Sequence, residues 1–591
     1  MGGIEVISNK LNPQLQLSLR YERLLSQDFK NTFIVDERAD VWEIVMEYTG
    51  DLDSLRTAYS MTAYDLQGGF AQIFITKQQI GNLSNHPNVI YLSLPKCMAY
   101  IDIGLNQVCA TNLSTPTGPF FVTGENVLLA VIDTGINYRH PDFINEQGET
   151  RIQYIWDQTI ESQLPDGYSK GTVYTASQIN EALKQPSLQE SLEIVPSVDE
   201  NGHGTALAGI AAGNGRGSIG LSNRGVAPGC ELIIVKLGHS NTSYPRDIDV
   251  MQGIHYAIQT AKELNKPLVI LLGVGSNLSG HNGTAPLELY ISRRSNNWLI
   301  NFVVGTGNQG DKASHGHGQV MQGESETIQF TIEGNQMEYA CTIWKSFSDE
   351  MSLVIQAPNG EKTDVLSLLT PNRAYLFDQT AVLINFSEPV VDINRQEIFI
   401  LFQGQSGTAV NNGIWTLTLI GTNILEGGYN IWGAIVTESS NRVRFLNSEI
   451  DMTLTTPSTA EKITSAAAYN GVTQQLTSFS GRGFTVDGRV MPSITAPGVN
   501  ITVPSINEES LYTTITGTSA ASAFVAGAYV LMQSYGIFQL NNVNAYGESL
   551  KVYLLRTARR PTRNAPYPNT SWGYGLLCIE AALNYMKEIN S

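Results

Sequence analysis

Three short motifs place an aspartate, a histidine and a serine in separate settings rich in small residues. Asp133 lies in the segment AVIDTG, His203 in NGHGTALAG and Ser519 in GTSAAS. A serine hydroxyl becomes a strong nucleophile when a histidine takes its proton and an aspartate orients that histidine. The three residues therefore predict a catalytic triad that attacks a carbonyl carbon.

A carboxamide supplies a fourth candidate group. Asn308 ends the segment VVGTGN, where an apolar strand is followed by glycines. A side-chain amide can donate a hydrogen bond to the oxyanion of acyl transfer, and loss of one such donor typically lowers the rate about 10²–10³-fold. We predict Asn308 to be the oxyanion donor.

Each motif taken alone has a simpler explanation. Asp133 could cap a loop, His203 could be structural, and Ser519 could be an ordinary helix N-cap. The D-T-G triplet at Asp133 also occurs in aspartic peptidases, but these need two carboxylates that share a proton. The sequence contains no second D-T-G or D-S-G. The occurrence of all the motifs in one chain favours a serine hydrolase with a catalytic triad over these separate explanations.

The segments around the motifs predict the elements that must position them. Residues 127–132, 231–235 and 268–272 are apolar runs typical of buried strands, and 247–264 has a helical period. Apolar strands that alternate with helices indicate an α/β fold with a parallel sheet covered on both faces. Such sheets bind ligands at the carboxyl ends of their strands, where Asp133 lies.

Two regions differ from this α/β pattern. Residues 1–100 alternate short strands and helices, which predicts a small α/β sandwich of the ferredoxin-like type. Residues 318–452 hold short β-rich runs separated by turn signals such as PNG and NNG, which predicts an inserted all-β jelly roll. The catalytic domain would then comprise residues 101–317 and 453–591.

Composition limits the classes of partner. The 591 residues are too many for one core. With 54 acidic and 36 basic residues the formal charge is −18, which argues against nucleic acid and anionic membrane surfaces. The longest apolar stretch, 268–274, is too short for a membrane span, and no signal peptide is recognisable. The five cysteines are widely spaced without a C-x-x-C pair, which favours neither a disulfide framework nor a zinc site.

The segments AVIDTGI, NGHGTALAGI and GTSAASAFVAG resemble the subtilase family of serine endopeptidases. Further landmarks are GVAPG at 225–229, TAPG at 495–498 and WGYGL at 572–576. The resemblance implies a subtilisin-like fold with Asp133, His203 and Ser519 as the triad. It implies no cofactor for the reaction.

The resemblance also identifies residues 1–100 as a propeptide that acts as an intramolecular folding chaperone. It implies self-cleavage between Tyr100 and Ile101 and substrate-binding strands at Leu237-Gly238 and Gly273-Val274-Gly275. The propeptide tail would pair with these strands through its backbone, and the folded propeptide would keep the tail close by. We therefore expect the propeptide to stay bound after cleavage.

Departures from the family pattern leave specificity and metal binding open. Ala523-Phe524 replaces a common proline and histidine, and Gly273 stands where the family usually has serine. Asp142 matches a family calcium ligand, with 214–221 as the accompanying loop. A structural calcium is therefore an alternative to the absence of a metal.

Within the family, the chain is most similar to the clostridial Csp germination proteases, which carry a propeptide and a jelly-roll insertion. In that subgroup the protease activates a cortex-lytic zymogen of the spore. The resemblance therefore implies a protein substrate, a cortex hydrolase zymogen, and a location in the spore cortex or coat region. The alternatives are a broad-specificity subtilase for protein turnover, which would be cytoplasmic, and a subtilase-like sensing scaffold occluded by its propeptide.

Overall fold

The structure is a computed structural model that describes most of the chain. The described residues are 9–25, 29–30, 32–36, 39–96, 99–100, 108–110, 113, 120–238, 244–297, 299–388, 394–436, 442–507, 511–561 and 565–590. They divide into two compact units. The first unit draws on 1–97, 276–286 and 312–450, and the second on 98–275, 287–311 and 451–591.

The N-terminal region folds as an antiparallel sheet with helices in its connections. Its elements are α1 Pro13–Tyr21, β1 Ile34–Asp36, β2 Val41–Tyr48, α2 Leu52–Tyr59, β3 Thr62–Gln67, β4 Phe70–Thr76, α3 Lys77–Ser84 and β5 Val89–Ser93. Strand β2 pairs with β4 and β5, and β3 pairs with β4. This β-α-β-β-α-β order confirms the ferredoxin-like prediction. Strand β3 was not predicted, because only part of it is apolar.

The middle of the chain supplies most of the larger sheet of the second unit. Its elements are β6 Ala99–Tyr100, β7 Leu128–Asp133, β8 Ile152–Asp157, β9 Thr172–Thr175, α4 Ala176–Leu183, α5 Leu188–Ile194, α6 His203–Ala212, β10 Glu231–Lys236, α7 Asp247–Glu263, β11 Leu268–Leu272, β12 Val274–Gly275, α8 Pro286–Arg294 and β13 Ile300–Gly305. The predicted apolar runs are all strands here.

The next segment is the insertion, whose described residues form β-strands. They are β14 His315–Gln319, β15 Ser325–Glu333, β16 Glu338–Ser346, β17 Glu350–Gln356, β18 Asn372–Phe377, β19 Thr380–Phe386, β20 Arg395–Gly404, β21 Gly413–Asn423, β22 Gly428–Gly433 and β23 Arg442–Phe445. One sheet has the order β14-β22-β16-β20-β19-β18 and the other β17-β21-β15-β23. These antiparallel sheets enclose one apolar core, as predicted for an inserted all-β domain.

The chain then returns to the larger sheet. The remaining elements are β24 Thr464–Asn470, β25 Gln475–Leu476, β26 Ile494–Pro497, β27 Ile501–Pro504, β28 Tyr512–Ile515, α9 Thr518–Gln533, α10 Gly547–Arg556 and α11 Ile579–Asn590. The sheet order is β25-β24-β13-β11-β7-β10-β8-β9, with parallel pairing from β8 through β24.

Helices cover both faces of this sheet. Leu129 and Val131 of β7 lie in the same apolar core as α6 and α9. On the opposite face, Gly253 of α7 lies against Ile132 and Val235. Successive strand residues point to opposite faces, so both faces need apolar side chains, which explains the continuous apolar runs. The predicted parallel sheet covered on both faces is confirmed.

Helix α9 continues into a longer helical run, Thr518–Gln539. By length and composition this run could cross a membrane, but 89 % of its most apolar window is buried inside the protein. A core helix passes the same test of length and hydropathy, so the run is weak evidence for a membrane span.

The sheet of the insertion that contains β19 and β20 has two buried faces. Ile398, Ile400 and Phe402 of β20 point into the core of the insertion. The alternate residues Phe399 and Leu401 belong instead to the core of the N-terminal region. Strands β15 and β21 of the other sheet alternate between buried and exposed residues. The N-terminal region therefore covers one face of β19 and β20.

Helix α1 of the N-terminal region makes polar contacts with the same sheet. Asn385 Nδ2 donates to Gln16 Oε1 over 3.2 Å, and the Tyr21 hydroxyl donates to the carbonyl of Asn372 over 3.1 Å. Asn12 caps the helix by accepting the N–H of Leu15. The N-terminal region and the insertion thus form one unit with a shared apolar layer.

The shared layer predicts a contrast between two leucines of the insertion. Leu383 of β19 is fully buried in it, whereas Leu376 of β18 is 66 % exposed. Leu383→Ala should lower the free energy of unfolding by about 2–5 kcal/mol, because it leaves a cavity. Leu376→Ala, the matched control, should change it by less than about 0.5 kcal/mol. Urea unfolding followed by fluorescence measures both, and equal effects would contradict the shared layer.

Candidate active site

The predicted triad residues converge at one point of the second unit. His203 Nδ1 lies 2.8 Å from Asp133 Oδ1 and 2.9 Å from Oδ2, and His203 Nε2 lies 3.0 Å from Ser519 Oγ. All three residues are buried. A carboxylate that accepts Nδ1–H leaves Nε2 as the basic nitrogen, which faces the serine hydroxyl. The arrangement can transfer the hydroxyl proton to the imidazole.

Asp133 is held at the carboxyl end of the central strand β7. Its Oδ1 accepts the N–H of Thr134 over 2.7 Å. On the other side, Gly273 follows β11, and a Cβ there would lie 1.7 Å from Asp133 Oδ2. The carboxylate therefore occupies the space that any other side chain at position 273 would need.

His203 is the first residue of α6, and a buried carboxylate anchors the turn that leads to it. Asp199 Oδ1 accepts the N–H groups of Asn201 and Gly202, and Oδ2 accepts the N–H and hydroxyl of Thr205. Gly202 has φ of +86°, a conformation that favours glycine. Asp199 therefore fixes the start of the helix from which the imidazole projects.

Ser519 is the second residue of the 16-residue helix α9. The first turn of a helix has N–H groups without intrahelical partners and a positive electrostatic potential. Gly305 at the end of β13 lets the helix start close by, since a Cβ there would lie 2.8 Å from the carbonyl carbon of Thr518. Ser519 thus lies where a developing negative charge would be stabilised.

Asn308 is oriented by Thr518, the residue before Ser519. Its Oδ1 accepts the backbone N–H of Thr518 over 3.0 Å and the Thr518 hydroxyl over 3.2 Å. Because Oδ1 is the end that accepts from Thr518, the Nδ2 amino group is the end turned away from it. This orientation suits Asn308 as an oxyanion donor next to Ser519.

Asn137 and the hairpin of β27 and β28 connect the three motifs through hydrogen bonds. Asn137, just after the aspartate motif, donates its N–H to Thr205 Oγ1 over 2.8 Å and its Nδ2 to the carbonyl of Ser505 over 3.1 Å. Ser505 follows β27, and the hairpin leads directly to α9. One asparagine therefore connects the segments of Asp133, His203 and Ser519.

The predicted substrate-binding strand at β12 has a partner from the N-terminal tail. Val274 and Gly275 pair antiparallel with Tyr100 and Ala99 of β6. This pairing is the backbone recognition expected of a peptide at a protease cleft. Ile101, the other predicted cleavage residue, lies outside the described residues.

Leu237 and Gly238 have other partners. The Leu237 N–H donates to the carbonyl of Asp133 over 2.7 Å. The Gly238 N–H donates to Gln158 Oε1 over 3.4 Å, and its carbonyl accepts Lys170 Nζ over 2.8 Å. These groups are used inside the protein, so the hydrogen bonds give no support to the predicted substrate pairing of these two residues.

Among the described residues, Asp142 uses one carboxylate oxygen, Oδ1, in hydrogen bonds, whereas its buried Oδ2 has no hydrogen-bond partner. Asp142 Oδ1 accepts the N–H of Gly217 over 2.9 Å and the hydroxyl of Tyr512 over 2.7 Å. Gly217, from the predicted calcium loop, offers no side-chain oxygen. Across the described residues, no group of three or more His, Cys, Asp or Glu side chains is arranged to hold a metal ion. Calcium needs six to eight oxygen ligands.

Two residues of the site were not predicted from the sequence. Asp199 and Thr518 touch the segments of the triad without being triad members. Asp199 lies four residues before His203 and three before Gly202, the N-cap of the helix, and an aspartate just before a helix is a start signal. That signal could have identified Asp199, whereas the contact of Thr518 with Asn308 joins residues 210 positions apart.

Comparison with known proteins gives two matches to family models. Residues 124–343 and 435–575 match the model of the Subtilase family. Residues 9–96 match the model of the Csp protease B prodomain. The two matches cover separate parts of the chain.

The chain is also similar to individual proteins. It superposes on the CspB protease of Clostridium perfringens with a TM-score of 0.73 and 30 % identity, over 82 % of this chain and 97 % of that one. It is 29 % identical to the subtilisin of Bacillus sp. (strain TA39) over 32 % of this chain and 35 % of that protein. It is 23 % identical to the minor extracellular protease Vpr of Bacillus subtilis over 78 % of this chain and 52 % of that protein. The chain spans 24–35 % of the length of the first curated relatives it matches.

Asp199 should act as a positioning residue for His203. Asp199→Asn replaces an oxygen that accepts N–H groups with an amino group, so the turn before His203 must shift. We expect kcat for a peptide substrate to fall about 10²-fold, with KM within about threefold, because a 1 Å misplacement has that effect. The rate of fluorophosphonate labelling of Ser519 should fall in parallel.

Thr205 variants supply the control for this prediction. Thr205→Ser keeps the hydroxyl that donates to Asp199 and should label at nearly the wild-type rate, whereas Thr205→Val should be slower. Unchanged labelling in Asp199→Asn would show that the carboxylate does not position His203.

Gly273 should tolerate no side chain. In Gly273→Ala the new methyl group collides with Asp133 Oδ2, so the carboxylate must leave His203 Nδ1. We expect kcat to fall by about 10²-fold or more with the fold intact. Gly428→Ala in the insertion, where only the Gln319 side chain lies within 4 Å of the new methyl group, is the control. Equal activity of the two variants would contradict the close approach.

Proposed function

We propose that this chain, which belongs to the subtilase family, is a serine endopeptidase. It removes its own prodomain and then activates a protein zymogen. The observation that carries the proposal is the geometry of His203, which joins Asp133 to Ser519 through its two ring nitrogens. Asp133, His203 and Ser519 are the proposed catalytic residues, with Asn308 as the oxyanion donor.

The reaction follows from these contacts. Ser519 Oγ attacks the carbonyl carbon of the scissile peptide bond while His203 Nε2 takes its proton. Asp133 holds Nδ1–H and stabilises the imidazolium, and Asn308 Nδ2 and the helix N-terminus stabilise the oxyanion. The imidazolium then protonates the leaving amine. Water repeats the sequence on the acyl-enzyme and releases the carboxylate product.

The first substrate is the chain's own tail. Ala99 and Tyr100 already pair with Val274 and Gly275 as a substrate strand would. The proposed cleavage follows Tyr100. The prodomain then stays bound without a covalent link, because Leu383, Phe399 and Leu401 would otherwise expose their apolar face to water.

The proposed second substrate is a cortex-lytic zymogen of the spore, cleaved during germination. Support comes from the match of residues 9–96 to the Csp protease B prodomain and from the similarity to the Clostridium perfringens CspB protease. A spore location, in the cortex or coat region, belongs to the same proposal. No metal takes part in the proposed reaction.

The test compares the wild-type chain with Ser519→Ala. Wild type should yield a fragment ending near Tyr100 and a larger fragment, and Ser519→Ala should remain one chain, because the nucleophile is absent. A fluorophosphonate probe should label Ser519 in wild type and not in His203→Ala. Cleavage of Ser519→Ala at the same bond in a protease-free preparation would overturn the assignment.

A second arm addresses the substrate. Processed wild type should cut a cortex hydrolase zymogen from the same organism at one site and leave casein intact. Degradation of casein would indicate a broad-specificity protease instead. Absence of both probe labelling and cleavage would favour a sensing scaffold.

A further inference from the structure

Glu397 lies on the face of the insertion that the prodomain covers. It precedes Phe399 and Leu401 on β20 by two and four residues, so the three side chains point to the same side of the strand. Phe399 and Leu401 belong to the core of the prodomain. Glu397 is 9 % exposed. An ionisable carboxyl group therefore sits within an apolar interface between two parts of the chain.

A hydroxyl group and a cation act on Glu397. The Thr342 hydroxyl of β16 donates to Glu397 Oε1 over 2.6 Å. From the prodomain, Lys96 is a cation that acts on Glu397, and the charges of Glu397 and Glu47 of β2 both act on Tyr91 of β5. Lys96 also donates to the carbonyl of Leu278 over 3.1 Å.

Burial determines which protonation state of Glu397 the interface favours. Removal of a carboxylate from water disfavours its charged form, and a nearby cation or hydroxyl favours it. Here burial outweighs Lys96 and Thr342, so the pKa of Glu397 lies above its usual value. The same burial and the charge of Glu397 raise the pKa of the Tyr91 hydroxyl. The buried position of Glu397 therefore favours the protonated carboxyl more than water does.

We propose that docking of the prodomain takes up a proton at Glu397, so that the prodomain is held most tightly in acid and is loosened as the pH rises. This inference rests on the proposed retention of the prodomain after cleavage. The proposal adds proton-dependent regulation to the same active site. When the prodomain is held less tightly, its tail at β6 can leave β12 more readily.

The direction of the pH dependence follows from the linkage between proton binding and docking of the prodomain. When the pKa of the docked state exceeds that of the undocked state, affinity is highest below the undocked pKa, about 4.3 for glutamate. It then falls up to tenfold per pH unit until the docked pKa is reached, and is constant above it. Lys96 limits the size of this effect, because its charge favours ionised Glu397 in the docked state.

The experiment measures how much urea is needed to remove the prodomain from the processed protein between pH 4.5 and pH 8.5. Size exclusion and denaturing gels report the fraction of prodomain that remains in the native peak. For wild type the urea midpoint should fall as the pH rises. Glu397→Gln mimics the protonated carboxyl, so its midpoint should stay near the acid value of wild type throughout.

Two further variants keep the test decisive. Lys96→Met removes the cation and should loosen the prodomain at neutral pH, opposite in direction to Glu397→Gln. Glu333→Gln, at an exposed glutamate on the other sheet of the insertion, should follow wild type and serves as the control.

The outcomes separate the two proposals. A prodomain that elutes apart from the mature protein at every pH without urea would overturn retention, and the proton-linked hold with it. A prodomain that stays bound with the same midpoint at every pH, in wild type and in Glu397→Gln alike, would overturn the role of Glu397 alone. Loosening in Glu397→Gln at neutral pH would overturn it as well.

Discussion

The contact between one buried carboxylate and one imidazole constrains the fold around it. Asp133 meets His203 Nδ1 with both oxygens, and both groups are out of water. A buried carboxylate is costly unless it is hydrogen-bonded, so the neighbouring elements must come close enough to satisfy it. Glycine at position 273 is one result, because any Cβ there would occupy the place of Asp133 Oδ2. Asp199 at the start of α6 and the hairpin before α9 hold the neighbouring segments of His203 and Ser519 in place.

Much of this could be predicted from the sequence, because the strongest signals are local. The continuous apolar runs predicted the parallel sheet, and the glycine-rich motifs identified the residues that meet at its edge. Helix α1 was missed, since Leu15, Leu17 and Leu19 recur with the period of a strand. They form a helix because it is buried between the prodomain sheet and the insertion, with a cap at Asn12. The contacts of Asp199 and Thr518 depend on tertiary structure.

The burial pattern of each strand in the insertion shows whether one or both faces of its sheet are covered. Strands β15 and β21 alternate as expected of a sandwich with one face in water, whereas β19 is buried along its whole length. A jelly roll that stood alone would not need Phe399 and Leu401 on its outer side. The prodomain, the insertion and the proposed proton-sensitive carboxyl thus belong to one physical unit.

The hydrogen bond between Gln16 and Asn385 joins residues 369 positions apart. During synthesis the prodomain emerges from the ribosome first, but the strands that complete its apolar layer emerge hundreds of residues later. Contacts of such long sequence separation form late, because the loop-closure entropy must be overcome before they stabilise the chain. In this chain the apolar core of the prodomain is complete only when residues of the insertion are present. The strands of the insertion all lie within residues 315–445, so its sheets close shorter loops than the Gln16–Asn385 contact. The insertion can therefore form first and then serve as the surface on which the prodomain completes its own core.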